Sequence, residues 1–142
     1  MCKNIRITIS YIKIMNDYRS LALSEIETLE RNGCYADDWG NVNVAEDFQP
    51  EHISNVAFYG VVNLGVFDEK IEVEEGFCRH SGIRNATLCD VTIGDNCLIE
   101  NIGNHICRYT IGERCYISNV GVIASSSAAE YGEGTCLSVL NE

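Results

Sequence analysis

The chain has 142 residues, of which 46% are hydrophobic and 22% are charged, a composition typical of one globular domain rather than of a disordered chain. Its 10 lysines and arginines are outnumbered by 21 aspartates and glutamates, which gives a formal net charge of −11. This charge repels nucleic-acid phosphates and anionic lipid surfaces, so we expect neither nucleic acid nor a membrane as a partner.

Eight cysteines in so short a chain raise the question of a disulfide framework. Polar residues interrupt the isoleucines near the N-terminus, so neither a signal peptide nor a membrane span is expected there. We therefore predict a cytoplasmic protein with reduced thiols. No CxxC pair occurs, which removes the commonest zinc and redox signatures, and we expect neither a metal site nor a cofactor.

Residues 1–16 are predicted to form an extended N-terminal tail. Apolar and polar residues alternate in it, with a phase change near Tyr11, and Met15 follows directly. The tail has no obvious packing partner in the sequence. Two interpretations are as good as a functional arm: the segment is a flexible terminus, or it comes from a translation start upstream of Met15.

The next segment, residues 17–52, is predicted to contain a helix and an irregular capping region. Ser24 and Glu27 have the spacing of a capping box, and Asn32-Gly33 is typical of a left-handed helix stop. We expect a helix over residues 25–31. The apolar residues that follow it, including the single Trp39, are interpreted as packing anchors.

Residues 53–142 carry a repeat with a period of six, which is strictest over residues 83–139. His105 takes the place of one member of an otherwise aliphatic series: Ile93, Ile99, Ile111, Ile117 and Ile123. A period of six is typical of a short strand followed by a corner, and three such units return the chain to its starting face. We therefore predict a parallel β-helix over residues 53–142, with regular coils over residues 83–139.

This register of three units per coil predicts which residues lie side by side in successive coils. The isoleucines of these pairs should be buried, and the pairs are Ile93 with Ile111, Ile99 with Ile117, and His105 with Ile123.

The same register stacks four cysteines in two pairs. Cys97 and Cys115 fall in a small inward slot and should be buried, whereas Cys89 and Cys107 should lie near a corner and be more accessible. Equivalent side chains on adjacent parallel strands have parallel Cβ vectors, which suit the disulfide torsion poorly. We expect free thiols in both pairs.

Three blocks resemble a known group of proteins: the opening Tyr18-Arg19-Ser20-Leu21, the block Ile99-Glu100-Asn101-Ile102-Gly103, and the stretch from Ser138 to Glu142. The repeat resembles the hexapeptide-repeat transferase superfamily. The blocks are most similar to a family of long bacterial hexapeptide-repeat proteins described as sugar-phosphate nucleotidyltransferases or acyltransferases. Because those proteins are several times longer, the resemblance implies that this chain is an N-terminal piece.

The resemblance also implies a fold, a ligand and an assembly. The expected fold class is all-β, a left-handed parallel β-helix with a short N-terminal helix, and the left hand comes from the resemblance alone. The ligand would be a sugar or nucleotide-sugar, and the assembly a homo-oligomer. A trimer is one form of it, because relatives of the acyltransferase type commonly build their sites between neighbouring prisms of a trimer.

His105 is the candidate catalytic residue, because histidine titrates near neutral pH and transferases of this type use a histidine as general base. The alternative is that His105 is structural and that its imidazole hydrogen-bonds to a backbone carbonyl. His52 and His80 have weaker claims and are expected at the surface. His80 has Glu72 nearby in the sequence, but no metal-ligand spacing supports a site.

Two hypotheses of function remain open. The first is an acyltransferase that uses His105 as general base on an amino or hydroxy sugar. The second, which we prefer for this chain, is a module that is not catalytic by itself. No glycine-rich phosphate loop of the G-x-G-x-x-G type occurs, so no cofactor-binding residue is assigned and nucleotidyl transfer has no local support.

Overall fold

The computed structural model describes residues 18–131 and 136–138, so the predicted tail at residues 1–16 lies outside the described residues. The described chain contains one α-helix, α1 (Leu23–Arg31), and two 3₁₀ turns, Trp39–Asn41 and Pro50–His52. Its strands, in chain order, are β1 (Tyr18–Ser20), β2 (Tyr35–Ala36), β3 (Val42–Ala45), β4 (Ile53–Leu64), β5 (Lys70–Glu74), β6 (Phe77–His80), β7 (Gly82–Ile93), β8 (Leu98–Glu100), β9 (His105–Ile111), β10 (Tyr116–Ser118), β11 (Val122–Tyr131) and β12 (Cys136–Ser138).

Ten of these strands form one mixed sheet. Its main path runs β1-β3-β4-β7-β8-β10-β12, while β2 pairs with β4 and β9 pairs with both β7 and β11. The pair β1–β3 is antiparallel, and the other pairs of this sheet are parallel. Strands β5 and β6 form a separate antiparallel hairpin.

The predicted fold class, a left-handed parallel β-helix, is wrong. The described strands form a mixed sheet with an antiparallel edge and a separate hairpin, rather than a closed helix of equal coils. The reason is that the regular repeat is local. Ile93 pairs with Ile111, three repeat units further along the chain, whereas Ile53 pairs with the much more distant Ile83.

The local register is confirmed for two of its three predicted pairs. Ile93 pairs with Ile111, Ile99 pairs with Ile117, and all four side chains are buried. The third pair is wrong by one residue, because His105 pairs with Val122. The turn between β8 and His105 is one residue longer than the matching turn between β10 and Val122, which shifts the register.

Helix α1 begins at Leu23, two residues earlier than expected. The residue that precedes it is Ala22, whose backbone N–H donates to Glu25 Oε1 at 2.8 Å. The predicted capping box of Ser24 and Glu27 is therefore wrong. Glu25 performs this role because Arg19 holds its carboxylate with two hydrogen bonds of 2.9 and 2.8 Å.

The predicted stop of α1 is confirmed. Gly33 has a φ of +88°, Cys34 N donates to Leu29 O at 2.9 Å, and Gly33 N donates to Glu30 O at 3.0 Å. This is the hydrogen-bond pattern of a Schellman motif. Leu29 is fully buried and packs α1 onto the sheet. No helix of the described residues has the length and apolar character needed to cross a membrane.

The segment predicted to be irregular is partly regular. It contains β3, whose Val42 and Val44 are buried and pair with Val62 and Leu64 of β4. Trp39 packs on Phe58 with ring centroids 5.9 Å apart, in agreement with its predicted role as an anchor.

Candidate functional site

The strand register builds a column of outward side chains across the parallel strands. Tyr35 of β2 pairs with Ala57 of β4, and Ala57 pairs with Thr87 of β7. Register partners on parallel strands project to the same face at a spacing of roughly 4.8 Å. Because Ala57 carries only a methyl group, the column has a hollow between Tyr35 and Thr87.

A ladder of asparagine side chains borders this hollow. Asn55 Nδ2 donates to Asn85 Oδ1 at 2.7 Å, and Asn85 Nδ2 donates to Asn101 Oδ1 at 2.9 Å. The three residues have φ values of 56°, 57° and 58°, a left-handed conformation that asparagine tolerates better than most residues. Each amide has two donor hydrogens and two acceptor positions, so the ladder leaves further hydrogen-bonding capacity.

Of these residues, Tyr35, Asn55, Ala57, Asn85 and Thr87 help to line a groove of about 450 Å³, which we call the amide groove. Its lining offers amide, hydroxyl and aromatic side-chain groups; it is lined by Gly33, Tyr35, Asn55, Val56, Ala57, Asn85, Ala86, Thr87, Ile102, Gly103 and Asn104. None of these side chains is charged at neutral pH, although 22% of the residues of the chain are charged.

The aromatic wall of the amide groove is open to solvent. Tyr35 is 56% exposed, and its ring lies 6.0 Å from that of Tyr59, which is 39% exposed. An exposed ring offers an apolar face for a ligand that also has polar edges. The groove therefore suits a neutral ligand that is rich in hydroxyl groups and has one apolar face.

His105, the predicted catalytic base, lies one strand beyond Thr87. The pairing of Leu88 with Ile106 places the preceding residues, Thr87 and His105, next to each other in the same outward column. The imidazole is half-buried and outside the groove lining, and its Nδ1 lies 2.8 Å from Asn104 Oδ1. Its role as a general base stays a prediction.

His52 and His80, which sequence analysis treated as two separate surface residues, are in contact in the structure. Their rings stack with centroids 3.6 Å apart and planes inclined by 15°. Burial, followed by the positive charges of His80 and Arg84, lowers the pKa of His52 below its ordinary value. His80 Nδ1 lies 2.8 Å from Ser81 O.

Two arginines and a buried glutamate lie beside the stacked rings. Glu100 is 4% exposed; Arg79 Nη1 hydrogen-bonds to its Oε1, and Arg84 Nη1 lies 3.7 Å from its Oε2. We call His52, Arg79, His80, Arg84 and Glu100 the His–Arg cluster. Sequence reasoning missed its charged members because Arg84 and Glu100 pair at an interval that is not a multiple of six.

The alternative of a metal site at His80 has no geometric support. Among the described residues, no group of three or more histidine, cysteine, aspartate or glutamate side chains is arranged to hold a metal ion. His80 stacks on His52, and its cross-strand partner in the hairpin is Lys70, whose positive charge disfavours a cation.

The cysteine predictions are confirmed in part. Cys97 and Cys115 form no disulfide and are fully buried, as expected, and burial raises the pKa of Cys97. Cys89 is half-buried, and burial together with Cys107 raises the pKa of its thiol to about 11. Cys107 is 8% exposed, against 0% for Cys97 and Cys115, so it is more accessible than they are, as expected, but it is still buried.

Comparison with known proteins gives a relative but no structural neighbour. An "Uncharacterized protein" of Treponema pallidum (strain Nichols) is 32% identical over 97 residues, which covers 63% of this chain and 13% of the relative. The chain thus spans about an eighth of the length of that protein. No solved structure shows a significant match.

The expected membership of the hexapeptide-repeat transferase superfamily is wrong. Residues 18–142 match a different family, whose description is "Domain of unknown function (DUF4954)". The local period of six resembled a hexapeptide repeat, but the family match and the mixed sheet do not support that assignment. With the match extending over nearly the whole chain, the protein belongs to the DUF4954 family.

Proposed function

We propose that this domain is a non-catalytic module that binds a neutral sugar in the amide groove. The observation that carries the proposal is the lining of the groove, which combines amide and hydroxyl groups with an exposed tyrosine and contains no charged side chain. Binding sites of this size commonly combine apolar walls with a few polar groups that fix the orientation of the ligand.

The lack of charge favours a free sugar over a nucleotide-sugar or coenzyme A. Both of those ligands carry phosphates, which proteins hold with arginine, lysine or converging backbone N–H groups. The amide groove has no arginine or lysine, and the chain has a net charge of −11. A neutral sugar avoids this repulsion, and its hydroxyl groups can both donate to and accept from asparagine amides.

A non-catalytic role is favoured by the position of His105. A general base must lie within hydrogen-bonding reach of the proton that it removes. His105 neighbours Thr87 and Asn104 but is not itself part of the lining, and its Nδ1 is already engaged 2.8 Å from Asn104 Oδ1. The lining contains no carboxylate or imidazole. Transfer with His105 as base is the competing hypothesis, and the experiment must be able to detect it.

Saturation-transfer difference NMR with maltotriose and tri-N-acetylchitotriose tests the proposal directly. We expect saturation of at least one trisaccharide, with a binding constant in the millimolar range, about −4 kcal/mol. Uridine diphosphate N-acetylglucosamine, added at equal concentration, should not displace it. Failure of both trisaccharides to receive saturation would overturn the proposal.

Two variants and one control locate the binding. Tyr35→Ala removes the aromatic wall and Ala57→Leu fills the hollow, so each should abolish saturation transfer. Phe77→Ala is the matched control, because Phe77 is an equally exposed aromatic residue, 54% against 56%, on the separate hairpin. Acetyl-coenzyme A consumption that disappears in His105→Ala would instead favour the transferase hypothesis.

A second candidate function, assembly, is favoured by the edge of the sheet. Among the described residues, β11 pairs only with β9 and β12 only with β10. Edge strands present unpaired N–H and C=O groups to other strands, and Val122 of β11 is 49% exposed. We propose that a second copy of the chain pairs there, giving a homo-oligomer, of which a trimer is one form.

Light scattering after size exclusion tests the assembly. The native chain should elute as an oligomer, and Ala124→Pro, which removes an N–H from the edge strand, should shift it toward the monomer. A native chain that is strictly monomeric would contradict this second candidate without affecting the amide groove.

The cytoplasm is the location that we propose. The structure describes the side chains of six of the eight cysteines, and none of these six forms a disulfide, a state that a reducing compartment maintains. Fractionation of the source cells with antibodies against this chain tests the location, and recovery outside the cytoplasmic fraction would contradict it.

A further inference from the structure

The hairpin of β5 and β6 is an insertion into the parallel sheet. It lies between β4 and β7, and it pairs with neither of them. A two-stranded hairpin by itself is at best marginally stable in water. Its position against the sheet therefore depends on the side chains at its base.

The His–Arg cluster contacts the base of the hairpin at β6. The segment before β5 is held separately, because Asn96 Oδ1 accepts from Asp68 N and Glu69 N at 3.1 Å and Arg114 pairs with Glu69 at 2.9 Å. His80, the last residue of β6, stacks on His52, and Arg79 pairs with Glu100 of β8. The backbone segments at Gly82 and His52 also approach each other closely here. A Cβ added at Gly82 would lie 2.2 Å from His52 O, so only glycine fits where β7 begins.

The charges around His52 oppose the binding of a proton to its ring. His52 faces His80 and Arg84, with Glu51 as the one opposing charge, and His80 has Lys70 as its cross-strand partner. Arg79 and Arg84 are both directed at Glu100, which leaves that carboxylate little capacity to compensate further positive charge. Two imidazolium ions at a ring separation of 3.6 Å would repel strongly.

We propose that the stacked His52–His80 pair is a proton-sensitive latch that holds the hairpin against the sheet at neutral pH and releases it in acid. With both imidazoles neutral, the rings stack and the hairpin is closed. When protons bind, repulsion within the pair and from Arg84 separates the rings and opens the base of the hairpin.

The direction of the pH dependence follows from the pKa of His52. Burial first, and then the charges of His80 and Arg84, lower this pKa from its ordinary value of 6.5. The open hairpin, in which His52 is solvated, therefore binds a proton more tightly than the closed one. The latch is fully closed above 6.5 and loses stability as the pH falls from that value toward the lowered pKa.

Hydrogen exchange of the hairpin tests the latch. Exchange of a peptide covering residues 68–81 is measured at about pH 7.5 and about pH 5.5, and corrected for the intrinsic pH dependence of amide exchange. The native chain should open more in acid, and the binding of one proton to His52 can increase opening by at most about tenfold at one pH unit below its ordinary pKa. Peptides from β9 should keep their protection.

Three variants separate the latch from other acid effects. His52→Phe and His80→Phe each keep an aromatic ring but remove the proton site, so the acid opening should be lost. His105→Phe, the third histidine of the chain, is the matched control and should behave like the native chain. Circular dichroism of each variant at neutral pH checks that it is folded.

Two results would overturn the proposal. The first is a hairpin whose corrected exchange is the same at both pH values. The second is acid opening that persists unchanged in His52→Phe but is lost in Glu100→Gln, which would assign the effect to protonation of the carboxylate. If His52→Phe does not fold, His80→Phe decides between the same outcomes.

Discussion

Ile93 of β7 lies beside Ile111 of β9, and both side chains are buried, although three repeat units separate them in the sequence. The core of the sheet is built from such pairs, in which each strand presents its apolar residues to its parallel neighbour. Each buried isoleucine therefore stabilises contacts between segments that are distant in the chain.

Ile111→Ala should lower the free energy of unfolding by about 2–5 kcal/mol, because it removes buried methyl groups and leaves a cavity. Val122→Ala, at a residue that is 49% exposed, should change it by less than about 0.5 kcal/mol. Urea titrations followed by circular dichroism measure both values. Equal effects of the two substitutions would argue against the register.

Glu25→Gln should destabilise the chain by about 1 kcal/mol, since the amide cannot reproduce the charged contacts with Arg19 and the Ala22 N–H. Glu27→Gln is the matched control, because the structure does not use Glu27 in the cap. Thermal melts of the two variants distinguish the observed cap from the one that the sequence favoured, and a larger effect of Glu27→Gln would contradict the structure.

The contribution of Glu25 should also depend on pH. The hydrogen bonds from Arg19 lower the pKa of Glu25 from its ordinary value of 4.5. A lowered carboxyl pKa gives stability that is present above 4.5 and is lost as the pH falls through the folded-state pKa. The stability difference between the native chain and Glu25→Gln should therefore shrink in acid, and a difference that grows below 4.5 would be inconsistent with the ion pair.

Thiol labelling of the folded chain should follow exposure. Cys78, which is exposed, should react first, and the half-buried Cys89 more slowly, because burial raises its pKa to about 11. Cys97 and Cys115 should stay protected until the chain unfolds. Mass spectrometry of labelled peptides gives the order, and early labelling of Cys97 would contradict its place in the core.

The sequence predicted local pairing well and the overall fold poorly. The period of six set the contacts of Ile99 and Ile117 correctly, because buried strands place one apolar face toward their neighbours. It did not reveal the much longer interval between Ile53 and Ile83, since an inserted hairpin has no periodic signature. The spacing within a repeat predicts which residues pair on adjacent strands, but it does not predict the order and direction of all the strands in the sheet.

The candidate sites were harder to predict than the core. The amide groove depends on Ala57 lying between Tyr35 and Thr87, a neighbourhood that only the strand register creates. His52 and His80 are far apart in the sequence and meet because the hairpin returns the chain to the start of β4. No motif of residues adjacent in the sequence predicts either the amide groove or the His52–His80 stack.

Chemical-shift mapping tests the central claim, sugar binding in the amide groove, most directly. Nitrogen-15 labelled chain is titrated with tri-N-acetylchitotriose and maltotriose, and backbone and asparagine side-chain amide shifts are recorded. We expect the largest shifts at Tyr35, Asn85, Thr87 and Asn104, with none at the His–Arg cluster. Shifts that are absent, or that gather at His52 and His80 instead, would contradict a sugar-binding role for the groove.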